Sequence, residues 1–247
     1  MSAEHVPALG PALACDPAPA PDGALALTLG GGRAHLRASG ALWLGASGAL
    51  VVADLHLEKG SSYAARGQML PPYDTRETLK RLAGEVEALR PAMVVLLGDT
   101  FHDRRSEERL AADDAARLRE LAAGRTLVWV IGNHDADGPR ALPGETADEL
   151  ALAGLVLRHE PRAGPQSGEV AGHLHPAARV RSTRGSVRRR CFVTDGERLI
   201  LPAFGTYAGG LNVCDPAFAG LFARPPIVGA IGSSRVHAVG WRSLCGD

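Results

Sequence analysis

The chain of 247 residues is poor in aromatic side chains, at 4%, and Lys is nearly absent. With so few rings the core has to be built from Leu, Val and Ala, and the preference for Arg over Lys reads as coding composition without functional weight. Acidic and basic residues balance at 27 each, so the bulk positive charge of a dedicated nucleic-acid binder is missing. A phosphate-rich substrate would have to be drawn in by a local patch or by metal ions. Cys15, Cys191, Cys214 and Cys245 are scattered without a CxxC pair, which argues against a disulfide framework or a Cys-rich zinc site. Reduced thiols in a cytoplasmic protein are the expectation. No apolar run approaches the ~18 residues of a membrane span. The N-terminus has no basic region followed by an apolar core, so no signal peptide is expected either. Residues 1–22, with their Ala, Pro and Asp, are expected to form a disordered leader, and residues 23–247 a single domain.

What is present is globular: 45% of the residues are hydrophobic, enough for a layered α/β core. Short strands are predicted over 24–29, 34–37, 41–44 and 50–53, separated by Gly turns. Leu79, Leu82, Val86 and Leu89 recur at helical spacing and predict a helix over 73–90, capped by Asp74 or Thr75. Met93 to Leu97 and Thr126 to Ile131 are continuous apolar runs, as expected of strands buried on both faces. A helix over about 106–123 lies between them, and the alternation predicts a parallel core. Further on, a short helix at 145–152, a strand near 155–158 and an antiparallel pair over 187–194 and 198–204 are predicted.

The polar residues fall where chemistry would need them. Three apolar runs end in Asp54-Leu55-His56, in Gly98-Asp99 and in Gly132-Asn133-His134-Asp135. Ligand sites in open α/β sheets form at such carboxyl ends. His159 and the pair His173/His175 come later, and Gly172 and Pro176 mark a turn that can bring both imidazoles inward. Imidazole and carboxylate without thiolate suit Zn, Fe, Mn or similar ions. A carboxylate such as Asp99 can bridge two of them, and a bridging water then loses its proton near neutral pH.

In this order the segments resemble the D-x-H, G-D, G-N-H-D, lone H and G-H-x-H motifs of the calcineurin-like metallophosphoesterase superfamily. The resemblance implies a four-layer α/β/β/α sandwich with two mixed sheets. It also implies two divalent metal ions, with Mn the expectation and Zn or Fe the alternatives. Asp54, His56, Asp99 and His175 would hold one ion, and Asp99, Asn133, His159 and His173 the other. The hydroxide between them would attack phosphorus. His134 would stand by the leaving group, with Asp135 orienting its ring. The superfamily's G-D motif usually continues to an Asp or Asn, a place open here to His102 or Asp103.

A narrower likeness lies in residues 53–63, in Pro71-Pro72-Tyr73-Asp74-Thr75, and in Pro202 to Tyr207 with Gly209-Gly210-Leu211-Asn212. These resemble the bacterial ligase-associated DNA damage response endonucleases. That likeness implies DNA as substrate and a repair setting beside a DNA ligase and a helicase. Two other readings are a small-molecule phosphomonoesterase or nucleotide phosphatase, and a scaffold that keeps the fold without catalysis. Lys59, His102, Arg188, Arg189 and Arg190 are the candidate substrate contacts. The last three belong to a basic run with Arg179, Arg181 and Arg184. That run reads either as a phosphate-backbone groove or as a solvated hairpin whose charges protect an edge.

Overall fold

The computed structural model describes residues 15–182 and 185–247. The first sheet lines up β1 (Ala18–Pro19), β2 (Leu25–Leu29), β3 (Gly32–Leu36), β4 (Leu42–Leu44), β5 (Ala49–Ala53), β6 (Met93–Leu97), β7 (Thr126–Val130) and β8 (Glu145–Ala147) in chain order. β5 to β8 are parallel and the earlier strands antiparallel. Helices α1 (Lys59–Ala64), α2 (Asp74–Leu89), α3 (Ser106–Arg109) and α4 (Ala112–Glu120) fill the crossovers of the parallel part. The second sheet holds β9 (Glu149–Leu152), β10 (Leu155–Arg158), β11 (Glu169–Ala171), β12 (Pro176–Ser182), β13 (Gly185–Thr194), β14 (Arg198–Ile200), β15 (Leu211–Asn212), β16 (Ile227–Ile231), β17 (Val236–Gly240) and β18 (Leu244–Cys245). Both sheets are mixed, and together they form the expected sandwich.

Alternation along the strands sorts the core into layers. Val51, Ala53, Val95, Leu97, Val128 and Val130 face the second sheet and meet Leu157, Val170, Phe192 and Leu199. Their neighbours Leu50, Val52, Val94, Leu96, Leu127 and Trp129 face the helices and pack on Leu79, Leu82, Leu118 and Leu121. The outer side of the second sheet buries Ala178, Cys191, Val193, Val228 and Leu244 under Val213, Phe218 and Leu221. Among the described residues this outermost layer is made of loop and 3-10 turns; the α-helices all lie on the first sheet.

Several local expectations change. Cys15 is buried and Ala18–Pro19 pairs with Leu25 and Ala26, so residues 15–22 of the expected leader belong to the fold. Residues 1–14 of that leader, and Arg184 of the basic run, lie outside the described residues. Glu145–Leu152 is not a helix: Glu145–Ala147 extends the parallel sheet beside β7, and Glu149–Leu152 turns back on β10. Ala153 and Gly154, with φ of 52° and 78°, supply the tight turn between β9 and β10. Pairing on two open sheet edges outweighs a weak helical preference there. The helix predicted over 106–123 is two pieces, because Leu110 and Ala111 are extended. The arm predicted at 198–204 pairs with β13 only through Leu199 and Ile200, and the chain then crosses to the first sheet at Ala203 beside Ala53.

Candidate metal centre

In the first sheet β5, β6 and β7 end flush, with Ala53, Leu97 and Val130 side by side. The residues that follow are Asp54, Gly98-Asp99 and Gly132-Asn133. In the second sheet β10, β11 and β14 also end flush, at Arg158, Ala171 and Ile200. His159 and His173 come next. The bridge between Ala53 and Ala203 joins the two rows, so both sets of strand ends open on one place.

Two groups of side chains there could each hold a metal ion, Asp54/His56/His175 and Asp99/His159/His173, and a third without a carboxylate, His56/His102/His134, shares His56 with the first. Two atoms bound to one ion at ~2.0–2.2 Å stand about 3 Å apart. Such spacing is found: His56 Nε2 to His175 Nε2 is 3.2 Å and His175 Nε2 to Asp54 Oδ1 is 3.3 Å. In the other group His159 Nε2 and His173 Nδ1 stand 2.9 and 3.1 Å from Asn133 Oδ1 and 3.1 Å from each other. Asp99 Oδ2 lies between the groups, 3.4 Å from His159 Nε2 and 3.8 Å from His56 Nε2. The residues therefore fit divalent ions held by imidazole, carboxylate and one neutral amide oxygen.

The backbone is bent to make this possible. Asp54, His56, Asp99, His173 and His175 all have φ between 45° and 68°, a region that side chains other than Gly seldom adopt. His173 and His175 therefore serve different groups although they are two residues apart. Close approach decides the glycines. A Cβ on Gly98 would sit 2.2 Å from His159 Nδ1, and one on Gly172 would sit 2.5 Å from Asp54 Oδ2. The carboxylates are also held by the chain: His173 N donates to Asp54 Oδ2 at 2.9 Å and His134 N to Asp99 Oδ1 at 2.9 Å.

Burial sets the charge states, with neighbours correcting it. Burial, helped by nearby His175, pushes the His56 imidazole down to about 3, leaving it neutral as a ligand must be. Burial works to raise the Asp99 carboxyl, but His159 beside it holds it down at about 2. His159 is raised, because Asp99 and Asp54 outweigh its burial.

His134 stands at the rim, its Nε2 3.9 Å from Asp99 Oδ2. Its ring is oriented by the carbonyl of His102, 2.8 Å from Nδ1. A carbonyl only accepts, so Nδ1 carries a proton and Nε2 is left to act. The ring-orienting role expected of Asp135 is thus filled by backbone. The buried Asp135 instead accepts from Gly132 N at 3.0 Å and Phe101 N at 3.1 Å, tying two ligand loops together. Burial also raises its pKa.

Among the candidate substrate contacts, His102 lies against His56 and His134, and Lys59 lies farther out beyond Tyr63. Lys59 Nζ lies 5.9 Å from the Tyr63 ring, Tyr63 lies 5.9 Å from His102, and His102 stacks on His134 at 5.5 Å. Burial, with Lys59 adding to it, lowers His102 to about 4. Asp103 turns away to a two-pronged pair with Arg109 at 2.8 and 3.0 Å. Arg188 and Arg190 share one face of β13, and Arg189 points to the other.

A support layer lies beneath the motif residues. Asp74 and Thr75 do not cap α2; Tyr73 occupies the cap position without a side-chain bond. Asp74 accepts from Gly60 N at 2.9 Å and Thr75 accepts from Glu58 N at 2.8 Å. The buried Glu58 carboxylate accepts from Thr75 and Ser61. Thr78 meets Thr206, and Arg81 lies over the Phe204 ring and donates to the Phe204 carbonyl. The only signal for this layer was the likeness of residues 53–63, 71–75 and 202–207 to one subgroup, and those three segments pack on one another.

Residues 49–196 match the model of the calcineurin-like phosphoesterase family. The crystal structure of Pseudomonas putida nuclease MPE is similar at 28% identity and a TM-score of 0.67, covering 87% of this chain and 100% of that one. An E. coli phosphoesterase, Yfce, matches at 16% identity and a TM-score of 0.38, over 78% of this chain and 98% of that one. No curated protein sequence matches closely.

Proposed function

Because this chain belongs to the calcineurin-like phosphoesterase family, we propose that it is a DNA endonuclease that works with two divalent ions, Mn by preference. The observation that carries this reading is the Asp99 carboxylate between two ligand groups, within 3.4 Å of one and 3.8 Å of the other. Asp54, His56 and His175 would hold one ion, Asn133, His159 and His173 the second, and Asp99 would reach both. When bound, the ions supply an activated water and offset charge on the phosphate. Support for a nucleic-acid substrate comes from the likeness to a nuclease over that protein's whole length. Cytoplasmic DNA repair beside a DNA ligase and a helicase is the setting this reading entails.

The chain's own residues divide the remaining work. His134 keeps Nδ1–H on the His102 carbonyl, so a second proton at Nε2 can pass to the departing oxygen. Asp99 holds its place through the His134 amide, which couples the proton donor to the metal ligands. Lys59 and His102 lie on the His134 side and favour a phosphate there.

The test is nicking of supercoiled and single-stranded DNA with Mn, beside purified His134→Ala. Wild type is expected to cut, and the variant to cut about 10²–10⁴-fold more slowly. No DNA cleavage, with ready release of phosphate from a simple monoester, would move the substrate to a small molecule.

A further inference from the structure

The antiparallel pair β12–β13 continues directly from His175, the last ligand, and is unusually rich in arginine. Its register sets Arg179 opposite Arg188, Arg181 opposite Ser186 and Ala177 opposite Arg190. Alternation then divides the side chains. Arg179, Arg181, Arg188 and Arg190 share the face that farther along β13 carries Phe192 into the core between the sheets. Arg189 shares the opposite face with Cys191 and Val193, which lie in the outer cluster.

The arginine face stands at the height of the metal centre. Extending the β13–β14 register, in which Val193 is opposite Ile200, puts Arg190 level with Ala203. Its Nη1 indeed donates to the Ala203 carbonyl at 2.7 Å. Ala203 bridges Ala53, the residue before Asp54, and Gly205 N donates to the Asp54 carbonyl. Arg190 is therefore the root of the row; Arg188 and Arg179 lie side by side one step of ~6.6 Å along it, and Arg181 a further step on.

Edge protection does not explain Arg179, because β15 and β18 already cover the other side of β12 as far as Val180. Nor does folding favour it, since like charges directly opposite, as at Arg179 and Arg188, destabilise a sheet. What does fit is an anion. Arg179 spends its Nε on Ser186 Oγ, and Arg188 meets the Gly210 carbonyl and, at 3.5 Å, Asp247. Most of their N–H groups remain for phosphate oxygens.

We propose that the Arg179/Arg181/Arg188/Arg190 face binds the phosphate backbone of a nucleic-acid strand and leads it to the metal centre, with Asp247 competing for Arg188. Resting on the nuclease reading above, it assigns that site a polyanionic substrate longer than the scissile bond. Arg189 is excluded from it.

The test is binding of a fluorescent DNA oligonucleotide across a salt series, with Mn, in a His134→Ala background of the full chain. Arg179→Ser/Arg181→Ser is expected to bind more weakly and to flatten the slope of log K against log salt by about 1.4–1.8, two contacts' worth. Arg189→Ser is expected to leave the slope unchanged, and Asp247→Asn to tighten binding. An unchanged slope in the double variant, an equal loss in Arg189→Ser, or no DNA binding at all would overturn the proposal. Should the double variant fail to fold, weaker binding by Asp247→Asn would overturn it alone. Arginine-dependent binding without cleavage by the otherwise wild-type chain would sink the nuclease reading and leave this one standing.

Discussion

The two sheets build the centre by the same device and with different chemistry. Each aligns three parallel strand ends, Ala53/Leu97/Val130 in one and Arg158/Ala171/Ile200 in the other. The first sheet supplies both carboxylates, with one imidazole and one amide. The second supplies only imidazoles. Neither sheet completes the two groups that contain a carboxylate: His175 joins Asp54 and His56, while Asp99 joins His159 and His173. Charge thus comes from the half whose three aligned strands have five residues each, where Asp54 is fully buried and held by the His173 amide. The other three imidazoles come from the half whose aligned strands β10, β11 and β14 have only three or four residues.

The sharpest way to break this division is at Asp99, which both groups need. Asp99→Asn is expected to abolish turnover and to lower metal content in both groups, read by elemental analysis; wild-type content would remove its shared role. On the second sheet, the fully buried Arg198 donates to two carbonyls and pairs with Glu169 at 2.6 Å. Arg198→Met should cost about 1–3 kcal/mol in a urea melt, since the buried Glu169 loses its 2.6 Å partner and keeps Arg158 at 3.2 Å. A loss under 1 kcal/mol would show the pair to be dispensable. Returning to the first sheet, Thr75→Val removes one donor from the buried Glu58 carboxylate and one acceptor from its amide. It should destabilise by about 1–3 kcal/mol and loosen the D-x-H loop, seen as faster amide exchange over residues 56–62.

The smallest effect is a pH-dependent one. Burial opposes ionisation of Asp103, but Arg109 holds its carboxyl well below the usual range. A depressed acid stabilises above its unfolded value of about 3.9 and loses that contribution as pH falls. Asp103→Asn should therefore be modestly less stable than wild type at neutral pH. The gap should close in acid; a gap that widens there would contradict the pairing.

The contrast between the sheets also explains what the sequence could reveal. β5, β6 and β7 are five-residue apolar runs spaced by helices, and each ends in its own polar motif, so periodicity and motif agree. The second sheet's β10, β11 and β14 have only three or four residues, too short for a period, and the sequence of β9 reads as helix. The division of the arginines was hidden for a related reason. Cys191, Phe192 and Val193 are all buried, so neither parity of β13 looked solvent-facing. A motif names neighbours in sequence and so points to Asp135, whereas the partner of the His134 ring is a carbonyl thirty-two positions away.

The left-handed backbone at Asp54, His56, Asp99, His173 and His175 sets selection for heat tolerance against selection for catalysis. Each such residue stores about 1–3 kcal/mol of strain that glycine would relieve. Under heat alone, with no demand for turnover, a population of this chain would drift toward glycine at those five positions. Its survivors would be hardier and inert, so the lineage keeps its ligands only while the reaction is needed.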